Sequence, residues 1–308
     1  MNNIVETQVV PSNALPVRID NYILNEFDIF PSRKSVKKAI KRGEIRVNGE
    51  IPEPFVIIQP GQLIDITESK ETPAKTYDLD LRILYEDDWL AVVEKPPGLI
   101  INGNRFKTLE NALPYSIEAS KQKDALIKPR PVHRLDACTG GLVIAAKTSK
   151  AHVDLSRQFQ HREINKRYRA IVIGKLDNDG VISYSIDGKE ANTVYSSVEY
   201  IPSLKTGWLT LVDLWPMTGR YHQIRRHLSI MGFPVLGDKL YGTEGNILKS
   251  KGVFLWAVEI SLKHPFYKWT LTITIKEAPK FETFINREKR RWIKYHRNMP
   301  SLDKESVE

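Results

Sequence analysis

One acidic residue, Asp136, lies within residues 133–148, which read HRLDACTGGLVIAAKT. Arg134 is close to it in the sequence, and a neighbouring guanidinium favours the ionised carboxylate that nucleophilic catalysis requires. Two adjacent glycines follow and allow the backbone to turn or to approach another group closely. The apolar run Leu142–Ala146 predicts a strand that would hold the acid-bearing loop on a rigid element. An isolated HRLD is also compatible with a carboxylate that only caps a loop.

Two later segments carry further candidate residues. Residues 166–170, KRYRA, place Tyr168 at the start of a predicted strand, where a tyrosine also suits an ordinary core. Residues 217–232 predict a helix that ends at a glycine, and they include Arg220, His222, Gln223 and Arg225. His222 and His227 are five residues apart, which does not place two ligands on one helical face, so we predict no metal site.

In this order, the motifs resemble the ribosomal-RNA pseudouridine synthases of the RluA-type family. They are HRLD at 133–136 with the turn Thr139-Gly140-Gly141, KRYRA at 166–170, GRYHQIR at 219–225, and FLWA at 254–257. Three positions depart from the family pattern: Gly140 replaces a serine, Tyr221 a threonine and Trp256 a histidine. The resemblance extends over most of residues 17–276.

This resemblance implies a role for each candidate. Asp136 would be the nucleophile that acts on a flipped-out uridine, Tyr168 would pack its ring against the base, and Arg225 would pair with Asp136. The implied substrate-binding residues are Arg134, His133, Arg220, His222, Gln223 and Leu255, with His133 also supporting the loop and Leu255 lining the base pocket.

The implied reaction isomerises uridine to pseudouridine within RNA. Asp136 would attack the pyrimidine ring or the anomeric carbon, or promote elimination there; the sequence leaves these alternatives open. The reaction needs no cofactor, which agrees with the absence of a dinucleotide-binding or Walker-type glycine motif. The implied fold is α+β: a mixed, mostly antiparallel sheet with flanking helices and a cleft holding Asp136, plus a small N-terminal α/β domain.

The N-terminal region predicts a basic helix capped by Ser32 and followed by a hairpin turn at Asn48-Gly49. Its basic residues, suited to phosphate contacts, are Arg33, Lys34, Lys37, Lys38 and Lys41. This order of elements resembles the S-four-type RNA-binding module of a ribosomal protein. A basic helix taken alone favours a solvated charged face, whereas its combination with the hairpin and turn spacing favours RNA binding.

Composition limits the class of protein. The 308 residues carry a formal charge of +9, which favours a polyanionic partner, and hydrophobic residues make up 41%, enough for a packed core. No apolar stretch reaches the ~20 residues that span a bilayer. The single cysteine, Cys138, fits a reducing compartment. We expect a cytoplasmic monomer that binds RNA and no membrane.

Domain boundaries follow from the changes in composition along the chain. We predict a leader at 1–16, a small RNA-binding domain at 17–68, a linker at 69–78, a catalytic domain at 79–285 and a basic tail at 286–308. The tail could contact phosphates or simply be a solvated end.

Ribosomal RNA is the favoured substrate because family members with such an N-terminal module generally act there; transfer RNA is the alternative. A second alternative is a non-catalytic RNA-binding protein of ribosome assembly. A third is a uracil methyltransferase that uses Cys138, but no glycine-rich methyl-donor motif accompanies that thiol.

Overall fold

The N-terminal unit has its own hydrophobic core, formed between Val10 and Ile66. The computed structural model describes residues 4–27, 30, 32–67, 76–242 and 251–297, so most of the predicted linker lies outside the described residues. The elements of this unit are β1 (Ile4–Val9), β2 (Val17–Arg18), α1 (Ile19–Glu26), α2 (Arg33–Lys41), β3 (Ile45–Val47), β4 (Ile57–Ile58) and β5 (Leu63–Thr67).

The first strand corrects the prediction of a leader at residues 1–16. Strand β1 pairs antiparallel with β5, and β5 pairs with β3 on its other edge. The two prolines that suggested irregular chain, Pro11 and Pro16, come after the strand. What orders β1 is the hydrogen-bonding edge of β5, about sixty residues later, which local sequence does not reveal.

Helix α2 forms as predicted. The Ser32 hydroxyl accepts a hydrogen bond from the Ser35 amide at 3.2 Å, and the Ser35 hydroxyl accepts one from the Ser32 amide at 3.1 Å. Val36, Ala39 and Ile40 are its buried side chains. The basic residues therefore lie off the buried face.

The turn at Asn48-Gly49 also forms, with positive φ at both residues. The turn brings Val47 and Glu50 together in an isolated antiparallel bridge. Strand β3 itself pairs with β5 and not with the residues that directly follow the turn. The local turn was predictable; its strand partner was not.

The second unit is built on a ten-stranded sheet. Its elements are β6 (Arg82–Glu86), β7 (Leu90–Lys95), α3 (Leu109–Ser116), β8 (Ala125–Pro131), β9 (Gly140–Thr148), α4 (Ser149–Gln160), β10 (Asn165–Ile173), β11 (Asp179–Ile182), β12 (Thr193–Ser203), β13 (Gly207–Pro216), α5 (Gln223–Ile230), β14 (Leu255–Lys263), β15 (Thr270–Thr274) and α6 (Lys280–Arg297). The order is β11-β12-β13-β10-β14-β9-β7-β6, with β8 also on β9 and β15 also on β14. The mixed, mostly antiparallel sheet with flanking helices is confirmed.

A short parallel seam joins the two halves of this sheet. Strand β14 meets β9 at two residue pairs, Trp256 with Gly140 and Ala257 with Gly141. A Cβ on Gly140 would collide with the Trp256 ring, and one on Gly141, where φ is +113°, would collide with the Ala257 carbonyl. The glycines after Asp136 therefore permit the close approach that the sequence predicted.

Helices cover both faces of the sheet. Helices α4 and α6 pack on one core cluster with β7, β9 and β14. Helix α3 packs on a second cluster, and α5 on a third beside β10 and β13. Leu109, Ala112 and Leu113 are the buried side chains of α3.

The N-cap of α4 is Thr148, whose hydroxyl accepts from the Ala151 amide. One predicted domain boundary falls inside a helix. Helix α6 runs without a break across the predicted domain end at residue 285, because the buried Glu288 continues its packed face and accepts a hydrogen bond from the Ser203 hydroxyl at 2.9 Å. Residues 298–308 of the predicted tail lie outside the described residues.

No helix of the described chain has the length and apolar character needed to cross a bilayer.

Candidate active site

A cleft of about 1010 Å³ opens beside the β9–β14 seam. It gathers every residue that the sequence predicted for catalysis and substrate binding, from both halves of the sheet. These residues are His133, Arg134, Asp136, Tyr168, Arg220, His222, Gln223, Arg225 and Leu255.

Backbone contacts hold the loop that carries Asp136. The Thr139 amide donates to the Asp136 carbonyl at 3.1 Å, and the Gly98 amide donates to the Ala137 carbonyl at 2.7 Å. The Lys95 ammonium, fully buried at the end of β7, donates to the Leu99 carbonyl at 2.8 Å and lies 3.4 Å from the Ala137 carbonyl. The acid is therefore presented by a tied-down loop at the start of β9.

Burial has a cost for Lys95. Its pKa falls to about 8 because the charged form is desolvated, and the negative charge of nearby Asp136 only partly opposes that fall. The sequence analysis did not identify Lys95 as a residue that supports the site. It lies in the segment EKPPG, at the end of β7.

One arginine connects two carboxylates at the centre of the cleft. Arg225 donates from Nη1 to Asp136 Oδ2 at 3.3 Å, as the resemblance implied. Its Nε and Nη2 donate to Asp238 at 2.6 and 2.9 Å. Asp238 is fully buried and also accepts from the amides of Leu240 and Tyr241. Arg225 is thus fixed by Asp238 and extends its remaining nitrogen toward Asp136.

Asp238 was not predicted as a site residue. Burial alone would raise its pKa, but hydrogen bonds from Arg225 outweigh burial and hold the pKa below its ordinary value. The pKa of Arg225 is raised, because its pairing with Asp238 outweighs its own burial. Both groups are therefore charged at neutral pH. The sequence signal for Asp238 was weak, because it consisted of an acid in the GDKLYG segment after the helix.

His222 approaches the same carboxylate oxygen of Asp136 as Arg225 does. It adopts a left-handed conformation just before α5, with φ of 53°, and its Nε2 is 3.7 Å from Asp136 Oδ2. Its Nδ1 is 3.0 Å from the Tyr241 hydroxyl. Desolvation lowers the pKa of His222, and Arg225 adds to that effect against the attraction of Asp136. A neutral imidazole therefore borders the carboxylate.

Tyr168 projects from β10 into the core beside Asp136. Burial, reinforced by the charge of Asp136, raises the pKa of its phenol, so the ring is neutral. The residues on either side of it in sequence, Arg167 and Arg169, both pair with Asp213 on β13 at 2.7–2.9 Å. Arg167 also pairs with Glu259 on β14 at 2.8 Å. Cross-strand ion pairs therefore hold β10 where it carries Tyr168.

His133 supports the loop from within. Its Nε2 accepts a hydrogen bond from the Ile144 amide at 3.1 Å, and its ring stacks on Phe159. Burial, together with the charge of Lys166, lowers the pKa of His133 to about 3. Arg134, by contrast, is exposed at the rim.

Gln223 uses its amide inside the protein. Its oxygen accepts from the Thr218 hydroxyl and the Arg220 amide, and its nitrogen donates to the Asn192 carbonyl and the Thr193 hydroxyl. This side chain fastens the loop before α5. The Arg220 guanidinium donates to the Glu190 carbonyl at 2.9 Å. Leu255, 3% exposed, contributes an apolar patch to the cleft wall.

Two chemical alternatives have little support here. Within the described ranges, no group of three or more His, Cys, Asp or Glu residues could hold a metal ion. Burial raises the pKa of the Cys138 thiol, so it is less readily ionised than an ordinary cysteine and poorly suited to be a nucleophile.

The chain is similar to known RNA pseudouridine synthases. The family model described as RNA pseudouridylate synthase matches residues 89–230. An RNA pseudouridine synthase of Aquifex aeolicus is 31% identical, over 91% of this chain and 94% of its own. The ribosomal large subunit pseudouridine synthase D of Pseudomonas aeruginosa is 35% identical, over 70% of this chain and 71% of its own. Human RNA pseudouridylate synthase domain containing 1 has the same fold, with a TM-score of 0.56 at 23% identity over 72% of this chain and 96% of its own.

Proposed function

Since the chain belongs to the RluA-type family of RNA pseudouridine synthases, we propose that Asp136 is its catalytic nucleophile and that it modifies specific uridines of large-subunit ribosomal RNA. The proposal concerns the residue that reacts and the RNA that is bound. The family membership is the premise for both.

The position of Asp136 carries the first part. Asp136 sits in a large cleft with one arginine nitrogen at 3.3 Å, and that arginine is already held by the buried Asp238. A guanidinium fixed in this way meets one carboxylate oxygen of Asp136, Oδ2, and offers it a charge-assisted hydrogen bond. An anionic oxygen with a free lone pair is what a carboxylate nucleophile needs.

The cleft also suits a base taken out of its stack. Unstacking a base costs a few kcal/mol, which contacts in the enzyme pocket must offset. The half-buried Tyr168 ring and the Leu255 side chain offer apolar surface for a uracil, and the exposed Arg134 offers a cation at the rim. Stacking of a base on an aromatic side chain is worth ~1–3 kcal/mol.

The chemistry balances without a second substrate. The bond from the sugar anomeric carbon to N1 breaks and a bond from that carbon to C5 forms. The ring loses the proton on C5 and gains one on N1. Attack of Asp136 on the ring, attack on the anomeric carbon, and elimination all begin from the ionised carboxylate. No electrons leave the substrate, so no redox cofactor is required.

Two observations support ribosomal RNA as the substrate. The relative from Pseudomonas aeruginosa is named for the large ribosomal subunit. The N-terminal unit presents a capped basic helix, and the side chains of Arg33, Lys34, Lys38 and Lys41 on it are exposed. We propose that this unit is an S-four-type RNA-binding module whose helix contacts phosphates.

Pseudouridine mapping of total RNA from cells without the gene tests both parts. Strains rescued with wild type and with Asp136→Asn are compared. We expect one or more ribosomal sites to disappear in the deletion and to return only with wild type. A lost transfer-RNA site would instead identify transfer RNA as the substrate.

Equal rescue by Asp136→Asn would overturn the nucleophile assignment. If no site is lost, then the chain acts as an RNA-binding protein rather than as an enzyme in that cell. Binding of the purified variant to ribosomal RNA serves as the control, because removing the carboxylate should leave affinity intact.

A further inference from the structure

An exposed aromatic residue lies at the rim of the cleft. Tyr221 is 56% exposed and occupies the position where the family pattern has threonine. One face of its ring is stacked on His222, with centroids 3.7 Å apart and planes inclined by 22°. Because His222 is itself 3.7 Å from Asp136, only one side chain separates this ring from the proposed nucleophile.

The ring of Tyr221 remains available to a ligand. The Arg134 guanidinium lies over it with its carbon 5.8 Å from the centroid, at the outer limit of the ~6 Å range for a cation–π contact. Arg134 is exposed as well. Proteins that bind single-stranded nucleic acid without sequence preference stack bases on exposed aromatic rings, often with an arginine nearby. Tyr221 and Arg134 have this arrangement.

The local backbone fixes the platform. His222 has the left-handed conformation, and its ring is held by the Tyr241 hydroxyl at 3.0 Å. The preceding residues are fastened through Gln223, whose oxygen binds the Arg220 amide and the Thr218 hydroxyl. Tyr221 therefore stands on a rigid support, so a base that stacks there need not first order the protein.

We propose that Tyr221 is a stacking platform for the nucleotide that flanks the target uridine. The target base enters the cleft toward Asp136, and its neighbour stacks on the outer face of Tyr221. The substrate class that fits is RNA in which the nucleotide next to the uridine is unpaired, as in a loop or bulge. This inference rests on the proposed function and adds a specificity-determining residue to it.

The first test is steady-state kinetics on a stem-loop RNA that carries the uridine identified by mapping. Tyr221→Leu should raise KM by about 5- to 150-fold, which is ~1–3 kcal/mol of lost stacking, with kcat changed less than about threefold. Tyr221→Phe should keep the wild-type KM. Tyr115→Leu, which removes an equally exposed tyrosine on α3, is the matched control.

The second test removes the partner base. An abasic nucleotide is placed on either side of the target in turn, and at one of the two positions it should raise KM of wild type as much as Tyr221→Leu does on intact RNA. Combining the variant with that RNA should then add nothing, because both changes delete the same contact. Additive losses at both positions would overturn the proposal and leave Tyr221 as a support for His222.

Failure of the two ideas looks different. If wild type forms no pseudouridine in any mapped RNA, the proposed function fails. If wild type is active and Tyr221→Leu has wild-type KM, only the stacking inference fails. Thermal unfolding of each variant should match wild type because the side chain is exposed, and a shared fall in Tm would show a folding defect instead.

Discussion

Two arginine–carboxylate clusters, one in the cleft and one on the sheet, differ in how their charges are shared. In the cleft, Arg225 is divided between Asp136 and Asp238. On β10 and β13 the arrangement is reversed, because Asp213 is divided between Arg167 and Arg169. The cleft cluster therefore has one cation between two anions. The sheet cluster has one central anion between two cations, and each of those arginines also pairs with a glutamate, Glu259 or Glu277.

Under the proposed function, this difference separates the reactive carboxylate, Asp136, from a structural one, Asp213. Asp213 accepts three hydrogen bonds from guanidinium nitrogens, so both of its oxygens are engaged by arginine. Asp136 receives one such bond, at the longer distance of 3.3 Å. Asp136 therefore keeps an oxygen that can act as the proposed nucleophile, whereas the hydrogen bonds of Asp213 serve to hold two strands together.

Asp238→Asn is expected to have the largest effect, because it removes the charge that holds Arg225. Losing one partner of a buried pair costs roughly 3–5 kcal/mol of the free energy of unfolding. A displaced Arg225 should also lower kcat on the order of 10²-fold. Urea unfolding and single-turnover rates measure the two effects.

Asp187→Asn is the matched control for that variant. Asp187 pairs with Arg226, the next residue of the same helix, through two hydrogen bonds of similar length but at an exposed site. We expect no measurable change in stability or rate there. A similar loss in both variants would mean that burial is not what distinguishes the pairs.

Asp213→Asn should separate stability from chemistry. It leaves Arg167 with Glu259 and Arg169 with Glu277, so the free energy of unfolding should fall by roughly 3 kcal/mol. Because Asp213 does not contact Asp136, kcat at a temperature where the variant is folded should change less than about tenfold. A loss of kcat equal to that of Asp238→Asn would remove the contrast between the clusters.

Within the cleft, His133 is a structural residue close in sequence to the proposed nucleophile, Asp136, because its ring is held by the Ile144 amide and by Phe159. Its folded-state pKa of about 3 is below the ordinary value, so between pH 6.5 and 3 the unfolded chain binds a proton that the folded chain does not. Stability should therefore fall as pH drops through that window, by at most ~1.4 kcal/mol per pH unit from this residue. His133→Gln should flatten the slope, and His161→Gln, at an exposed position, should not.

The basic helix α2 should show the smallest effect per residue. Replacing Lys34, Lys38 and Lys41 by Gln should weaken RNA affinity several-fold and reduce the slope of log affinity against log salt by about 2 to 3. The kcat should be unchanged, since these residues are far from the cleft in sequence and lie in the other unit. Gln substitution of Lys121, Lys123 and Lys276 gives the same change in net charge, and an equal effect would argue against a specific role for α2.

The sequence predicted most elements where the signal is local. The capped helix α2, the glycine turn after β3, the strand after Asp136 and the amphipathic helix α5 all follow from patterns within about ten residues. All nine residues that the motifs predicted for the site are among those that line the cleft, because the family resemblance supplies long-range information that periodicity lacks.

What was missed depends on distant partners. Strand β1 needs the edge of β5, and Asp238 matters only because the fold brings it against Arg225, thirteen residues earlier. Gln223 looks like a ligand-binding amide in the motif, yet the loop around it uses all of its hydrogen bonds. These properties arise from which atoms meet after folding, not from residue type.

The seam between β9 and β14 has a practical consequence for dividing the protein. Asp136 precedes the seam on one half-sheet, while Tyr168, Arg225 and Asp238 belong to the other. A chain cut between α4 and β10 would yield one fragment with the acid and one with its partners, and neither would carry a complete reaction centre. Pseudouridine would then form in RNA only after the two fragments reassemble. A cut at this point would therefore make RNA modification a split-protein reporter for contact between two fused partners.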